Sequence, residues 1–188
     1  MTSTRKIEEE NRSPLVVRRS SDSSEARWYA FYTTPRAEKK VAERLEEAGV
    51  EHYLPLIKTL QQWSDRKKMV EKPLINSYIF VKTHQHLLRD VLSVHGVSRY
   101  ISFEGKPAAI PDYQIDNLKL LVNSEESIEI TGDRLQQGDP VEVTHGTLSG
   151  LRGELIKIGT RNKVVVRIDK LDLNLIIKIQ KAFLKKTR

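Results

Sequence analysis

Five histidines and no cysteine are what this 188-residue chain offers for metal or nucleophilic chemistry. Without a thiol it has no disulfide framework, no thiolate metal site and no cysteine nucleophile. That usage accords with a reducing compartment, and a cytoplasmic protein is expected. His84 and His86 stand two apart in a segment that reads as helix, where such side chains diverge and make poor joint ligands. His52, His95 and His145 are isolated in sequence, and structural roles are expected of them. Phosphate-cradling glycine loops, a G-x-S-x-G elbow and an H-E-x-x-H helix are all absent from the sequence. Nothing assembles a nucleophile, a base and an orienting group, so the expectation is a binding protein with no catalysis, cofactor or metal.

Binding chemistry is better represented. The formal net charge of +7 is unevenly spread. Residues 134–188 carry 12 Lys/Arg against 5 Asp/Glu, while the rest of the chain carries 20 of each. A basic C-terminal module facing an anionic partner is one reading of that asymmetry, and a well-solvated surface is the other. Arg36, Lys39, Lys40 and Arg44 follow a first helix from its N-terminal turn. Such residues attract phosphate without reading sequence, or else form a solvated face supported by i,i+4 pairs with Glu38. The stretch SDRKK with Trp63 beside it is basic and aromatic in the same way and equally open.

The elements that must position these residues follow from periodicity. Residues 1–26 mix charges with serine around a short Leu15-Val16-Val17 patch and read as a disordered tail. Trp28 to Tyr32 is a dense aromatic strand. Thr34 reads as a helix N-cap with Pro35 at the first helical position, Ala37, Val41, Leu45 and Ala48 form the buried stripe, and Gly49 closes the helix. EHYLPLIKTLQQW and KPLINSYIFVKT read as two strands joined through SDRKK. HQHLLRDVLSVHG is a short helix ended by Gly96, VSRYISF a strand and EGKP a turn. Pro111 opens a last helix with Ile115, Leu118, Leu121 and Val122 on its apolar side. The sum is a β-α-β-β-α-β-α unit of α+β class with a mainly antiparallel sheet over residues 27–122.

Residues 123–137 are polar and aperiodic and read as a linker. From residue 138 to 188, short Val/Ile/Leu strands alternate with glycine or asparagine turns, and a small β-barrel is the natural solution. Gly146, Gly150 and Gly153 permit sharp turns or close backbone approach there. Leu148 and Leu151 lie between them, either as a partner contact on a loop or as a plug for the end of the barrel. No run of eighteen apolar residues occurs, which excludes an ordinary membrane-spanning helix, and the N-terminus lacks the apolar core of a secretory signal.

One stretch resists the usual pattern. In KPLINSYIFVKT, residues Tyr78 to Val81 are apolar in succession, whereas a strand covered on one face alternates. Either the protein covers both faces, or one is left for a partner.

RWYAFYTTPRAEKKVAERLEEAG, PLINSYIFVKT and GVSRYISFEGKPAAIP together resemble the N-terminal domain of NusG-type transcription elongation factors. GDPVEVTHGTLSGLRGELIKI resembles their C-terminal KOW motif, which completes an SH3-like barrel. YTTPRAEKKVAERL, LPL and QQWSDRKK are most similar to the specialised RfaH-like or UpxY-like antiterminators of polysaccharide operons. The resemblance implies an antitermination factor that binds the clamp helices of the largest catalytic subunit of RNA polymerase and suppresses pausing or termination. The implied polymerase-binding residues are Trp28, Tyr29, Ile75, Tyr78 and Phe80. Relatives carry Phe-Pro-Gly-Tyr or Phe-Pro-Asn-Tyr where this chain has Ile75-Asn76-Ser77-Tyr78, so the depression is expected to be shallower. Arg36, Lys39 and Lys40 are implied to face the non-template DNA strand. The KOW partner, through Gly146, Leu148, Leu151 and Gly153, is implied to be ribosomal protein S10 or the termination factor Rho, with nascent RNA as the alternative that the basic charge suggests. A ribosome-associated KOW-containing RNA-binding protein is the second reading, one that the aromatic N-terminal unit argues against.

Overall fold

The computed structural model describes residues 25–62, 67–124, 126–158 and 161–187, with 158, 161 and 162 described as backbone only. The tail as far as residue 24, and Trp63 to Arg66 of the basic tip, lie outside the described residues.

The aromatic strand is β1 (Arg27–Thr33), and it forms the spine of the N-terminal sheet. The sheet runs β2 (His52–Tyr53), β5 (Tyr78–Thr83), β1, β6 (Val97–Tyr100), with β9 (Ala109–Ile110) also on β1. Every pairing in it is antiparallel. In the β1–β5 register, Ala30 faces Phe80 and Tyr32 faces Tyr78, while Tyr29 faces Val81 and Phe31 faces Ile79. Side chains alternate between faces, so these pairs sort into two layers. Tyr29, Phe31, Ile79 and Val81 pack with Val41 and Leu45 of α1 (Glu38–Glu47) and with Leu88 and Val91 of α2 (Leu88–Leu92). Trp28, Ala30 and Phe80 pack with Ile115, Leu118 and Leu121 of α3 (Asp112–Val122). The two-faced apolar strand is therefore covered on both sides by the chain itself.

Several expected boundaries move. The first helix starts at Glu38, after the Ala37 cap position, and not at Pro35. Arg36 adopts a left-handed backbone (φ 64°), which an α-helix of L-residues cannot run through, and Thr34 accepts the Ala37 N–H as a turn instead of capping with its side chain. Gly49 does close the helix, with φ 65° and its N–H on the Glu46 carbonyl. EHYLPLIKTLQQW is not one strand. It breaks at Leu54-Pro55 into β2 and β3 (Leu56–Gln62), and β3 pairs only with β4 (Lys67–Pro73) as a separate ribbon. A second small hairpin joins β7 (Ser102–Phe103) to β8 (Lys106–Pro107) where the EGKP turn is expected. His84 precedes a short 3-10 turn in extended conformation, so its ring stacks on that of His86 (centroids 5.5 Å apart) and does not diverge from it.

The C-terminal sheet has six antiparallel strands in the order β10 (Ile128–Thr131), β14 (Leu173–Ile177), β13 (Arg161–Ile168), β12 (Arg152–Ile158), β11 (Asp139–Val143), β15 (Leu184–Lys186). Its apolar interior is built from Val141, Val143, Val164, Val166, Leu175 and Ile177. Strand β10 falls inside the stretch expected to be linker. Its Ile128 and Ile130 face Ile177 and Leu175, and pairing with the edge of β14 satisfies main-chain groups that the polar composition does not reveal. Arg167 secures the connection that follows. Its guanidinium donates to both Glu154 oxygens (2.9 and 3.1 Å), to the Gln136 carbonyl (2.9 Å) and to Asn174 Oδ1 (3.1 Å).

Candidate nucleic-acid and polymerase interface

The expected polymerase-binding residues are not an open surface. Trp28, Tyr29, Ile75 and Phe80 are buried, and only Tyr78 is partly accessible. A buried acid shapes the turn that leads to Tyr78. Glu38, at the start of α1, accepts the Ser77 N–H on Oε1 at 2.7 Å, and Ser77 sits in the left-handed region (φ 61°). Thr33 N–H is bonded to the Ser77 carbonyl from the other side (2.9 Å). Glu38 is thus no solvated i,i+4 partner. It is a brace that fixes where β5 begins, and the only sequence signal for it is an acid on the turn before an apolar stripe.

Tyr78 donates its hydroxyl to the Tyr32 hydroxyl, and the rings lie 4.3 Å apart between centroids. Arg99 lies over the Tyr32 ring at 4.4 Å. Burial, reinforced by the Tyr32 hydrogen bond, pushes the Tyr78 hydroxyl well above the usual phenol range. These three side chains form one wall of a cleft whose other wall is Lys170, Leu171 and Asp172 of the C-terminal sheet.

That cleft borders a contact between the two halves of the chain. Helix α3 buries two adjacent stripes. Ile115 and Leu118 face the N-terminal sheet, whereas Gln114 and Asn117, three apart, are buried despite being polar. Asn117 Nδ2 donates to the Arg152 carbonyl (2.8 Å) and its Oδ1 accepts the Arg152 N–H (3.1 Å). Gln114 Nε2 donates to Asp169 (3.1 Å), and its Oε1 is buried without a hydrogen-bond partner among the described residues. Lys170 lies 5.4 Å from the Phe103 ring centre. Sequence reading finds the first stripe and misses the second, because polar residues on a helix read as solvated.

The basic residues fare differently. Arg36, Lys39 and Lys40 are all exposed, Arg36 in the turn before α1 and the lysines on the helix itself. Arg44 is committed elsewhere, donating to the His95 carbonyl at 2.8 Å. Lys39 stands 3.9 Å from Glu71 of β4, which brings the helix edge beside the ribbon.

In the C-terminal sheet, Leu148 and Leu151 point inward, 5% and 0% exposed, and do not present a loop-tip contact. They join Val141, Val143 and Val164 in the interior, which is the plug reading of these residues. Gly146 turns the chain at φ 82°. Gly153 lies where β12 and β13 approach closely, and a Cβ there would come within 2.7 Å of the Val165 carbonyl.

The sequence profile described as transcription termination factor nusG matches residues 26–119, half of the chain. The chain belongs to the NusG family. It is 25% identical over 166 residues to the transcription termination/antitermination protein NusG of Rickettsia conorii, covering 79% of this chain and 85% of that one. The corresponding protein of Rickettsia bellii is 24% identical over the same span. Among solved structures, one of domain interaction in Thermotoga maritima NusG covers 87% of this chain and 98% of its own, at 21% identity and a TM-score of 0.45. The MjSpt4:Spt5 complex in conformation B is similar at 16% identity and a TM-score of 0.28. Members of the NusG family are transcription factors and not enzymes. No helix among the described residues is long and apolar enough to cross a membrane.

Proposed function

We propose that this NusG-family chain is an operon-specific antitermination factor of the RfaH-like or UpxY-like kind, which binds the clamp of the largest RNA polymerase subunit and suppresses pausing or termination. The family match over the β1–α3 unit carries the reading. Among the implied contact residues, Tyr78, grouped with Tyr32 and Arg99, is the one with accessible surface, and we assign it the central contact. Trp28, Tyr29, Ile75 and Phe80 act from beneath, by holding the sheet that presents it. Arg36, Lys39 and Lys40 attract the non-template DNA strand beside the clamp.

Residues 138–188 form the KOW module, to whose sheet β10 of the preceding segment adds an edge strand, and its partner is ribosomal protein S10 or Rho. With Leu148 and Leu151 turned inward, it engages that partner through the rim around Gly146 and not through those leucines. The module also packs on α3 and walls the cleft beside Tyr78. The full polymerase face is therefore free only when the two halves part. An interface that includes buried polar side chains and an unsatisfied Gln114 oxygen suits reversible docking.

Run-on transcription with purified polymerase, on templates with and without the upstream leaders of candidate operons, tests the function. Readthrough that depends on the leader and on Tyr78 is the expected result. Co-purification with ribosomes and not with polymerase would favour the ribosome-associated RNA-binding reading instead.

A further inference from the structure

We infer that the β3–β4 ribbon is a separate contact for double-helical DNA, lying in the major groove. The inference rests on the transcription-factor reading for its setting and on the ribbon's own chemistry for its content. The two strands pair only with each other and stand apart from the main sheet. Leu60 and Met69 face one another across the ladder and are 57% and 56% exposed. An apolar pair so placed on a free ribbon is unlike the rest of this domain, whose large side chains are mostly buried.

The charge around the pair decides the occupant. The strands carry Lys58, Lys67, Lys68 and Lys72 against the single acid Glu71, which already stands beside Lys39. Strand alternation distributes these lysines over both faces. Lys58 and Lys67 share the Leu60–Met69 face, and Lys68 and Lys72 lie on the other. A protein groove complements one face of a ribbon. The major groove of B-form DNA admits a two-stranded ribbon and presents phosphates along both walls, so lysines on both faces find partners at once. Leu60 and Met69 then meet the groove floor, where thymine methyl groups are the apolar feature. Single strands fit less well, because one strand offers a single line of phosphates and cannot meet lysines on both faces of the ribbon at once. Duplex RNA is excluded by its narrow, deep major groove. The Lys39–Glu71 contact joins the ribbon to the basic edge of α1, giving one basic surface that can follow DNA from single strand to duplex.

The test is fluorescence anisotropy of the full chain, without polymerase, on a 24-base-pair DNA duplex, the matching RNA duplex and one DNA strand, at several salt concentrations. The duplex DNA is expected to bind tightest. The variant K58Q/K67Q/K68Q is expected to flatten the slope of log affinity against log salt by roughly 2.7, or about 0.9 for each phosphate that is no longer neutralised. L60S/M69S is expected to lower affinity several-fold with the slope unchanged, and lysine-to-arginine exchange at the three positions to retain binding. Equal binding to duplex RNA, or ribbon variants that bind DNA like the parent, overturn the inference. Polymerase pull-down runs in parallel. Ribbon variants are expected to keep polymerase binding while Tyr78→Ala loses it, so failure of the ribbon and failure of the polymerase reading show up in different assays.

Discussion

Asn117 and the main chain of Arg152 exchange two hydrogen bonds, at 2.8 and 3.1 Å, across the boundary between the N-terminal unit and the C-terminal sheet. The side-chain amide imitates a neighbouring strand, satisfying one donor and one acceptor of β12 at once. Each bond contributes about 1 kcal/mol net, and removing the amide deprives both Arg152 main-chain groups of that partner. Asn117→Ala is therefore expected to weaken docking by about 2 kcal/mol, roughly thirtyfold. The chain has no cysteine, so labels introduced by Glu43→Cys and Lys157→Cys report the separation directly. A broader and longer distance distribution in the Asn117→Ala background, together with stronger polymerase capture, is the expected pair of results.

Accessibility separates the aromatic residues into two experimental classes. Phe80 is fully buried between β1 and α3, and Phe80→Ala is expected to cost about 3–5 kcal/mol of stability. Tyr78 is only partly buried, so Tyr78→Ala should leave the fold intact and cost about 2 kcal/mol or more in polymerase affinity. Thermal melts alongside pull-downs tell them apart. Tyr78→Phe keeps the ring without the Tyr32 hydrogen bond, and an intermediate affinity is expected of it.

Lys40 is exposed on α1. If it faces DNA, Lys40→Glu is expected to reduce antipausing activity strongly at low salt and weakly at high salt, because phosphate attraction is what salt screens. Equal activity of parent and variant at both ionic strengths leaves only a solvated helix face.

Leu151 has no exposed surface, and Leu148 is nearly as buried. Leu151→Ala is accordingly expected to destabilise the C-terminal sheet by about 2–5 kcal/mol. Titration of the full chain against S10 and against RNA, at two salt concentrations, reports the partner. Binding to S10 that changes little with salt is expected, and tight, salt-sensitive RNA binding without an S10 response would overturn that assignment.

The sequence carries the parts of this structure that local periodicity encodes. The Val41-Leu45 stripe, the aromatic strand and the Val164-Val166 run all lie where their spacing places them, because burial of an apolar face is a local pattern repeated along one element. What escapes depends on distant partners. Glu38, Gln114 and Asn117 are polar residues that become buried only because Ser77, Asp169 and Arg152 meet them, between 35 and 55 residues away in sequence. Strand β10 escapes for the same reason, since its ladder partner is β14. The question of what covers the two-faced strand β5 has two answers open in sequence, and the packing of α1, α2 and α3 on either side chooses between them.

Glu154 links pH to the clasp that holds residues 135–138 on the C-terminal sheet. Burial of its carboxyl disfavours the charge, but the Arg167 guanidinium and the Gly138 N–H (2.9 Å from Oε2) outweigh it, and together they hold the carboxyl below its ordinary value. A carboxylate with a lowered folded value stabilises the folded state fully above its unfolded value of about 4.3, and the contribution is lost as pH falls through the lower folded value. The clasp is thus intact at neutral pH and loosens in acid. The Gly138 amide proton reports this directly, because its acceptor is the titrating group. Its NMR shift is expected to titrate with a midpoint below the ordinary carboxylate value, and Glu154→Gln is expected to abolish that titration while lowering stability at neutral pH. Arg167→Met removes the cation and is expected to move the midpoint upward and free the Gln136 and Leu135 carbonyls. A midpoint at the ordinary carboxylate value in the parent protein would mean that Arg167 and Gly138 do not hold Glu154 in solution.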